Sequence, residues 1–454
     1  MYKRLLTLLL LVPTVLLAQH SIKGTFTPAK DFKFALLYKV TPQVATYVNN
    51  AQINEKGEFE FKLDSTITAG VYKLVYAIPQ EDYNFDIIYN GKEDIELEFN
   101  NETGVKYKSS TENIMLASYS ASMYKITDKI NAFYRKNNKR DAALKSLFKA
   151  QKETQEYYEN TANGTIALNF IKAHKPYIPN SAEDLNTYTE NIKKHYFDAV
   201  DFNNQTLQSS DFLTEHMFNY VYGANAEESE DDTAIYRENT KNFLSVVNRA
   251  PTKIKKRLLT DLWQQMADLN FESIANYITR NSLMDIAIKT SDNKLVEALT
   301  LYRNLSTGNK APDFYLEVKQ DSNNLVETEE KLITKRLSDL DLAENYIIVF
   351  WSSTCSHCLE EIPQLHRLIE TKEKGLVKVI AIGLEEEPYK WKGLTYNYPK
   401  FIHVYGEGKW DNKIGNDYNV TGTPTYFVLN KNKEIVFKPQ GFEEVKSFFD
   451  VEKE

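Results

Sequence analysis

Cysteine is nearly absent from this chain: two residues in 454, Cys355 and Cys358. A fold stapled by several disulfides, common outside the cell, is therefore excluded. A bridge between positions three apart would close too small a loop to constrain the unfolded chain much. Two thiols are also too few for a structural zinc site, which takes four ligands. His366 and His403 do not stand at finger spacing from them, so no metal is expected. Basic runs are missing as well. Lys and Arg number 55 against 63 Asp and Glu, a formal net charge of −8. A nucleic-acid partner needs a basic patch to neutralise phosphates, and the nearest candidate, KNNKR at 136–140, reads as a solvated helix end. The acidic run at 227–232 lacks the glycine and spacing of a calcium loop and reads as a solvated loop.

What is there begins at the N-terminus. MYKRLLTLLLLVPTVLLAQH carries Lys3 and Arg4, an apolar run over 5–17, and Ala18. This is the basic, apolar and small-residue order of a secretory leader. The apolar run is too short for a bilayer span of about 18–20 residues, no later segment reaches that length, and no Cys sits at the cleavage point to take a lipid. Cleavage is expected after Ala18, leaving an exported protein in the periplasm or cell envelope. The length suits roughly three domains.

Residues 19–105 read as a β domain. GEFEFKL at 57–63 and DIELEF at 94–99 alternate at period two, with turn signals NEKGE and NGK between strand-like runs. Residues 106–306 change to helical period. The stretches at 142–160 and 254–269 are amphipathic, with breaks at 174–185, where Ser181 is the expected cap, and at 223–234. Residues 307–454 alternate strand and helix: YIIVFW, a helix from 355 to about 371, LVKVIAIGL, FIHVY, a hairpin at 425–437 and a closing helix at 442–451. That order predicts a mixed sheet with helices on both faces.

The two thiols fall at a telling place. A buried strand ends at Trp351, Ser352 to Thr354 turn the chain, and Cys355 opens a helix whose free N–H groups and dipole favour a thiolate. Cys358 lies one turn on, and Leu359, Ile362 and Leu365 are expected to bury the helix against the sheet. Such a pair suits dithiol exchange. Cys355 attacks a disulfide, and Cys358 then displaces it. A hydrogen bond or positive charge from His357 would stabilise the Cys355 thiolate and make the pair more oxidising, so Ser356 and His357 are the expected tuning residues. Trp351 is read as a packing residue that also forms an apolar rim for substrate.

From Gly308 onward the chain resembles the thioredoxin superfamily, and within it the TlpA/ResA-like exported thiol–disulfide oxidoreductases. FWSSTCSHC matches the strand-to-CxxC element, and Pro363 the proline of the active-site helix. TGTPTYFVLNKN matches the segment that carries a cis-proline beside the dithiol. The resemblance thus implies a cis bond between Thr423 and Pro424, both presented to substrate like an added strand. Three departures stand out. Val349 replaces the buried Asp of cytosolic thioredoxin, the stretch before Pro424 is longer than in a minimal thioredoxin, and Ser-His replaces Gly-Pro between the cysteines. Upstream, the layout resembles Bacteroidetes-type proteins with a DUF4369-like N-terminus.

The expected fold is therefore multidomain α+β: an N-terminal antiparallel β domain, a central α-helical domain and a C-terminal α/β thioredoxin fold. The expected function is disulfide exchange with protein substrates, run as a reductase and without a cofactor. A membrane thiol protein is the expected electron donor. Two alternatives stand beside it. One is a binding or scaffold protein whose thioredoxin domain tethers or senses. The other is a peroxiredoxin-like antioxidant, although FWSSTCSHC lacks the Pro-x-x-x-Thr-x-x-Cys context of a peroxidatic cysteine. Glu360 and Glu361 are read as carboxylates meeting the helix dipole. Glu385 to Glu387 are read as a solvated loop or as a proton relay to Cys358.

Overall fold

The computed structural model describes residues 20–451 apart from 43, 81, 137–140, 224–231 and 320–331. The leader, most of the basic run and most of the acidic run lie outside these residues. The chain divides into two compact units, Met1–Leu269 and Asn270–Glu454. Among the described residues no helix is long and apolar enough to cross a membrane.

The first unit opens with two four-stranded sheets. One runs in the order Glu58–Leu63, His20–Thr27, Ile95–Asn100, Gly104–Ser109. The other runs Ala45–Gln52, Phe34–Val40, Gly70–Val75, Asn84–Tyr89. Pairing is antiparallel except between His20–Thr27 and Ile95–Asn100, which run parallel. Alternation decides which faces are buried. Phe59, Phe61 and Leu63, with Ile95, Leu97 and Phe99, point inward and join Leu37, Tyr72, Leu74 and Ile87 of the other sheet in one core. The glutamates and lysine between them stay in water. This is a sandwich.

A helical region follows. The helix Thr111–Arg135 starts where the Ser110 side chain accepts the Asn113 N–H. Asn113 itself is buried and pairs with both backbone groups of Ile88, accepting its N–H at 2.9 Å and donating to its carbonyl at 2.7 Å. Ile88 lies on an edge strand, so a side-chain amide stands in for the missing neighbour strand. The amphipathic stretches form Asp141–Thr161 and Thr252–Asp268. The break at 174–185 is present, but the helix Leu185–His195 is capped by Asp184, which accepts the Thr187 N–H at 3.0 Å, and not by Ser181. Asp184 wins because it sits directly before the first helical residue, where its carboxylate reaches the free N–H groups.

Asp86, on the strand Asn84–Tyr89, accepts the Asp211 N–H at 2.9 Å, and its Oδ1 is shielded, with no hydrogen-bond partner among the described residues. Burial, then the Asp211 charge, pushes its carboxyl up to about 7, against the Asp211 N–H and the Lys73 ammonium. A raised carboxyl binds its proton more tightly when folded. Stability is therefore fully present below about pH 4 and falls as pH rises towards 7, by roughly 1.4 kcal/mol per unit. Asp86→Asn is expected to melt higher than the parent chain at pH 8 by a few kcal/mol of stability, with the gain vanishing near pH 4. Melting curves at the two pH values check it, and an equal difference at both would contradict the assignment.

The second unit starts with helices between Glu272 and Asn304 and continues into the sheet. Leu301 and Leu305 pack into one of its two cores. Five strands run in the order Ile402–Glu407, Val377–Glu385, Asn345–Trp351, Thr425–Asn430, Ile435–Phe437. The first three are parallel and the last two antiparallel. The antiparallel pair Tyr315–Lys319 and Leu332–Arg336 is hydrogen-bonded separately from this sheet, and its Leu316 and Val318 join the core on one of the sheet's faces. The central strand Asn345–Trp351 is covered on both faces. Ile347, Val349 and Trp351 enter the core beneath the helix Ser356–Glu370, and Tyr346, Ile348 and Phe350 enter the opposite core. That explains a continuous apolar run in place of alternation. The three-part α+β order matches the expectation, with an α/β C-terminal domain.

One detail differs from the sequence reading. The helix Ser356–Glu370 buries Cys358, Ile362, Leu365 and Ile369, while Leu359 is 41% exposed. The buried stripe starts at Cys358, and Leu359 is turned about 100° away from it. His366 is half-buried, its ring against Tyr398 and Phe401.

Candidate functional site

The parallel strands Asn345–Trp351 and Val377–Glu385 deliver their C-terminal ends together, with Trp351 opposite Gly383. Beyond Trp351 the chain turns through Ser352, Ser353 and Thr354. The Cys355 N–H closes that turn on the Ser352 carbonyl at 3.2 Å. Cys355 is the N-cap of the helix Ser356–Glu370, in extended backbone conformation. Its Sγ therefore faces N–H groups that the helix cannot pair internally, and it accepts from the Cys358 N–H at 3.2 Å. In the thiol form the Sγ–H donates to the Thr423 carbonyl at 3.1 Å. Pro363 lies inside the helix and removes the N–H that residue 359 would otherwise receive.

The two sulfurs, both free thiols, sit in unequal surroundings. Cys355 is half-buried, and Cys358 is fully buried in the core beneath the helix. Burial pushes the Cys355 thiol up. Hydrogen bonds from the Cys358 thiol, the Thr423 side chain and the N–H groups of Cys358 and His357 outweigh this and leave it below an ordinary cysteine. Burial, then the hydrogen bond donated to Cys355, pushes Cys358 up to about 12. Of the two sulfurs, the inner one thus holds its proton more tightly.

Thr423 and Pro424 come immediately before the strand Thr425–Asn430, which pairs antiparallel with Asn345–Trp351 and sets Thr425 opposite Phe350. The bond between Thr423 and Pro424 is cis, as the resemblance implied. The Thr423 carbonyl reaches Cys355, so residues 68 positions apart meet. Ser356 and His357 are exposed. Among the described residues no hydrogen bond joins the His357 imidazole to either sulfur; what reaches Cys355 is its backbone N–H.

Trp351 is not a rim. Its side chain is 0% exposed, in the core near Tyr398. As the last residue of a strand covered on both faces, it points under the helix and away from the surface. Leu359, beside Cys358, is the apolar residue that does reach solvent.

Two carboxylates acquire partners that spacing alone does not reveal. Glu361 accepts from the Tyr426 hydroxyl at 2.8 Å and the Phe442 N–H at 3.0 Å. This ties the cysteine helix to the strand after Pro424 and to the start of the closing helix Phe442–Val451. Burial, then the Glu361 charge, raises the Tyr426 phenol far above its usual range. Glu385, read as loop or relay, is 4% exposed and accepts from the N–H and hydroxyl of Ser353. The sequence signal for Glu385 was its place at the C-terminal end of a buried strand. Tyr426 had only its nearness to Pro424. Among the described residues no group of three or more His, Cys, Asp or Glu is arranged to hold a metal ion.

Comparison with known proteins places this geometry. The family model described as Redoxin matches residues 306–453. The thiol-disulfide oxidoreductase ResA of Geobacillus kaustophilus is 26% identical over 143 residues, 30% of this chain and 74% of that protein. The ResA of Bacillus cereus is 29% identical over 125 residues, 27% of this chain and 69% of that protein. Among solved structures, a thioredoxin-like protein from Bacteroides caccae is 19% identical, with a TM-score of 0.33 over 61% of this chain and 98% of that one. A domain of a possible thiol-disulfide isomerase from Cytophaga hutchinsonii is 25% identical, with a TM-score of 0.26 over 33% of this chain and 93% of that one.

Proposed function

Since the C-terminal domain is a TlpA/ResA-like domain of the thioredoxin superfamily, we propose that the chain is an exported thiol–disulfide oxidoreductase that reduces disulfides in other proteins. One observation carries the thiol-exchange part of this reading: the outer sulfur is half-buried with its pKa lowered, and the inner one is fully buried with its pKa raised. The Cys355 thiolate attacks one sulfur of a substrate disulfide. The S–S bond breaks, a mixed disulfide forms, and the substrate's other sulfur leaves as thiolate. Cys358 then gives up its proton and attacks the Cys355 Sγ. The second substrate thiol leaves, and a Cys355–Cys358 disulfide remains, two electrons having passed to the substrate.

Substrate lies along Thr423 and Pro424 in the manner of an added strand, with Leu359 as its apolar neighbour. After export and removal of residues 1–18, a membrane thiol protein returns the oxidised pair to the dithiol. The direction is tested by equilibrating the full chain with dithiothreitol or glutathione redox buffers. A potential near about −270 mV is expected for a reductase, and one near about −120 mV would make the chain an oxidant.

A further inference from the structure

We propose that Glu385 is a positioning residue for the dithiol: its buried carboxylate clasps Ser353 and so fixes the turn that delivers Cys355 to the helix N-terminus. This deepens the thiol-exchange reading and rests on it. The clasp follows from register. Trp351 pairs with Gly383 at the last rung of two parallel strands, so two residues further along each strand Glu385 arrives beside Ser353. Ser353 is 1% exposed and Glu385 4%. One carboxylate oxygen takes the Ser353 N–H, and the other takes its hydroxyl at 3.1 Å.

A buried carboxylate is costly unless its oxygens are hydrogen-bonded, and here both partners belong to one residue of the turn. The rest of the turn is closed on itself. Ser352 Oγ meets Thr354 Oγ1 at 3.0 Å and accepts the Thr354 N–H at 3.3 Å, and the Ser352 carbonyl holds the Cys355 N–H. Glu385 supplies the anchor from outside the turn. What it anchors decides the sulfur's contacts, since Cys355 Sγ must lie at once by the Cys358 N–H and the Thr423 carbonyl. Both oxygens being engaged at Ser353, Glu385 is not placed as the proton relay to Cys358. Glu407 pairs with Glu385 across the neighbouring strand, and Glu385, Glu386, Glu387 and Glu407 all act on Tyr405, while Cys358, Thr423 and the His357 N–H are the groups that act on Cys355.

The test uses the full chain with Glu385→Ala and Glu385→Gln. Two readouts are taken: the pH midpoint for alkylation of reduced Cys355 by iodoacetamide, and reduction of insulin disulfides. In E385A the midpoint is expected to rise towards an ordinary cysteine's value of about 8.5. Its kcat/KM is expected to fall on the order of 100-fold, the scale of an ångström-sized misplacement. E385Q keeps an oxygen for the Ser353 N–H and is expected to retain most of both. Equal losses in the two variants with an unmoved midpoint would mean that the charge or proton of Glu385 is used, and would overturn the proposal. So would no change in either. If E385A fails to fold, Glu385→Asp, one methylene short, replaces it: an upward midpoint supports the clasp and an unmoved one overturns it. Alkylation needs no turnover, so the clasp is decided even if the parent chain proves inactive on insulin, a result that would count against the thiol-exchange reading instead.

Discussion

Cys355→Ser is expected to leave the chain with no insulin reduction above that of dithiothreitol alone. The argument rests on position. Among the described residues Cys358 is the one other thiol, and it is fully buried and pushed up to about 12, so it supplies almost no thiolate near neutral pH. A serine hydroxyl in the N-cap accepts the same helix N–H groups that Cys355 accepts. The variant should therefore fold and melt close to the parent, which separates lost chemistry from lost structure. Activity is read by the turbidity of reduced insulin, and folding by thermal melting. Turnover equal to that of the parent chain would remove the enzyme reading and leave the binding or scaffold reading in its place.

Cys358→Ala has the opposite signature. Attack by Cys355 survives and resolution does not, so mixed disulfides between Cys355 and substrate proteins should accumulate, up to one partner per chain. They are read as dithiothreitol-sensitive higher-mass species after acid quenching. The same change removes the thiol that donates to Cys355, the largest influence holding its pKa down. The alkylation midpoint of Cys355 should therefore rise in this variant while adducts still form. A chain that forms no adducts while Cys355 remains open to alkylation would show that exchange with proteins is not what this thiol does.

The dithiol was legible because its signals are local. A strand, a small polar turn, a cysteine opening a helix and a second cysteine one turn on all lie within a few residues. Periodicity likewise marked the sandwich strands Glu58–Leu63 and Ile95–Asn100, whose alternate phenylalanines and leucines must leave water. Trp351 packs in the core as read, and only its rim role was misread, for a physical reason. A strand covered on both faces carries no alternation, so nothing in YIIVFW says which side chains point under the helix and which end at the surface. Leu359 was misread because one apolar residue beside a helical stripe looks like part of it until the helix is docked.

By itself the sequence determined the order of elements, the pairing of Cys355 with Cys358 and the place of Pro424, all carried by near-neighbour spacing and, for Pro424, by the motif around it. Only the tertiary structure decided which sulfur is pushed up and which is held down, that the N–H of His357 reaches Cys355, and that Glu361 and Glu385 tie the site together. Those outcomes depend on burial and on hydrogen bonds across tens of residues. Strand register and helix docking set them, and neither is written in any one segment of the chain.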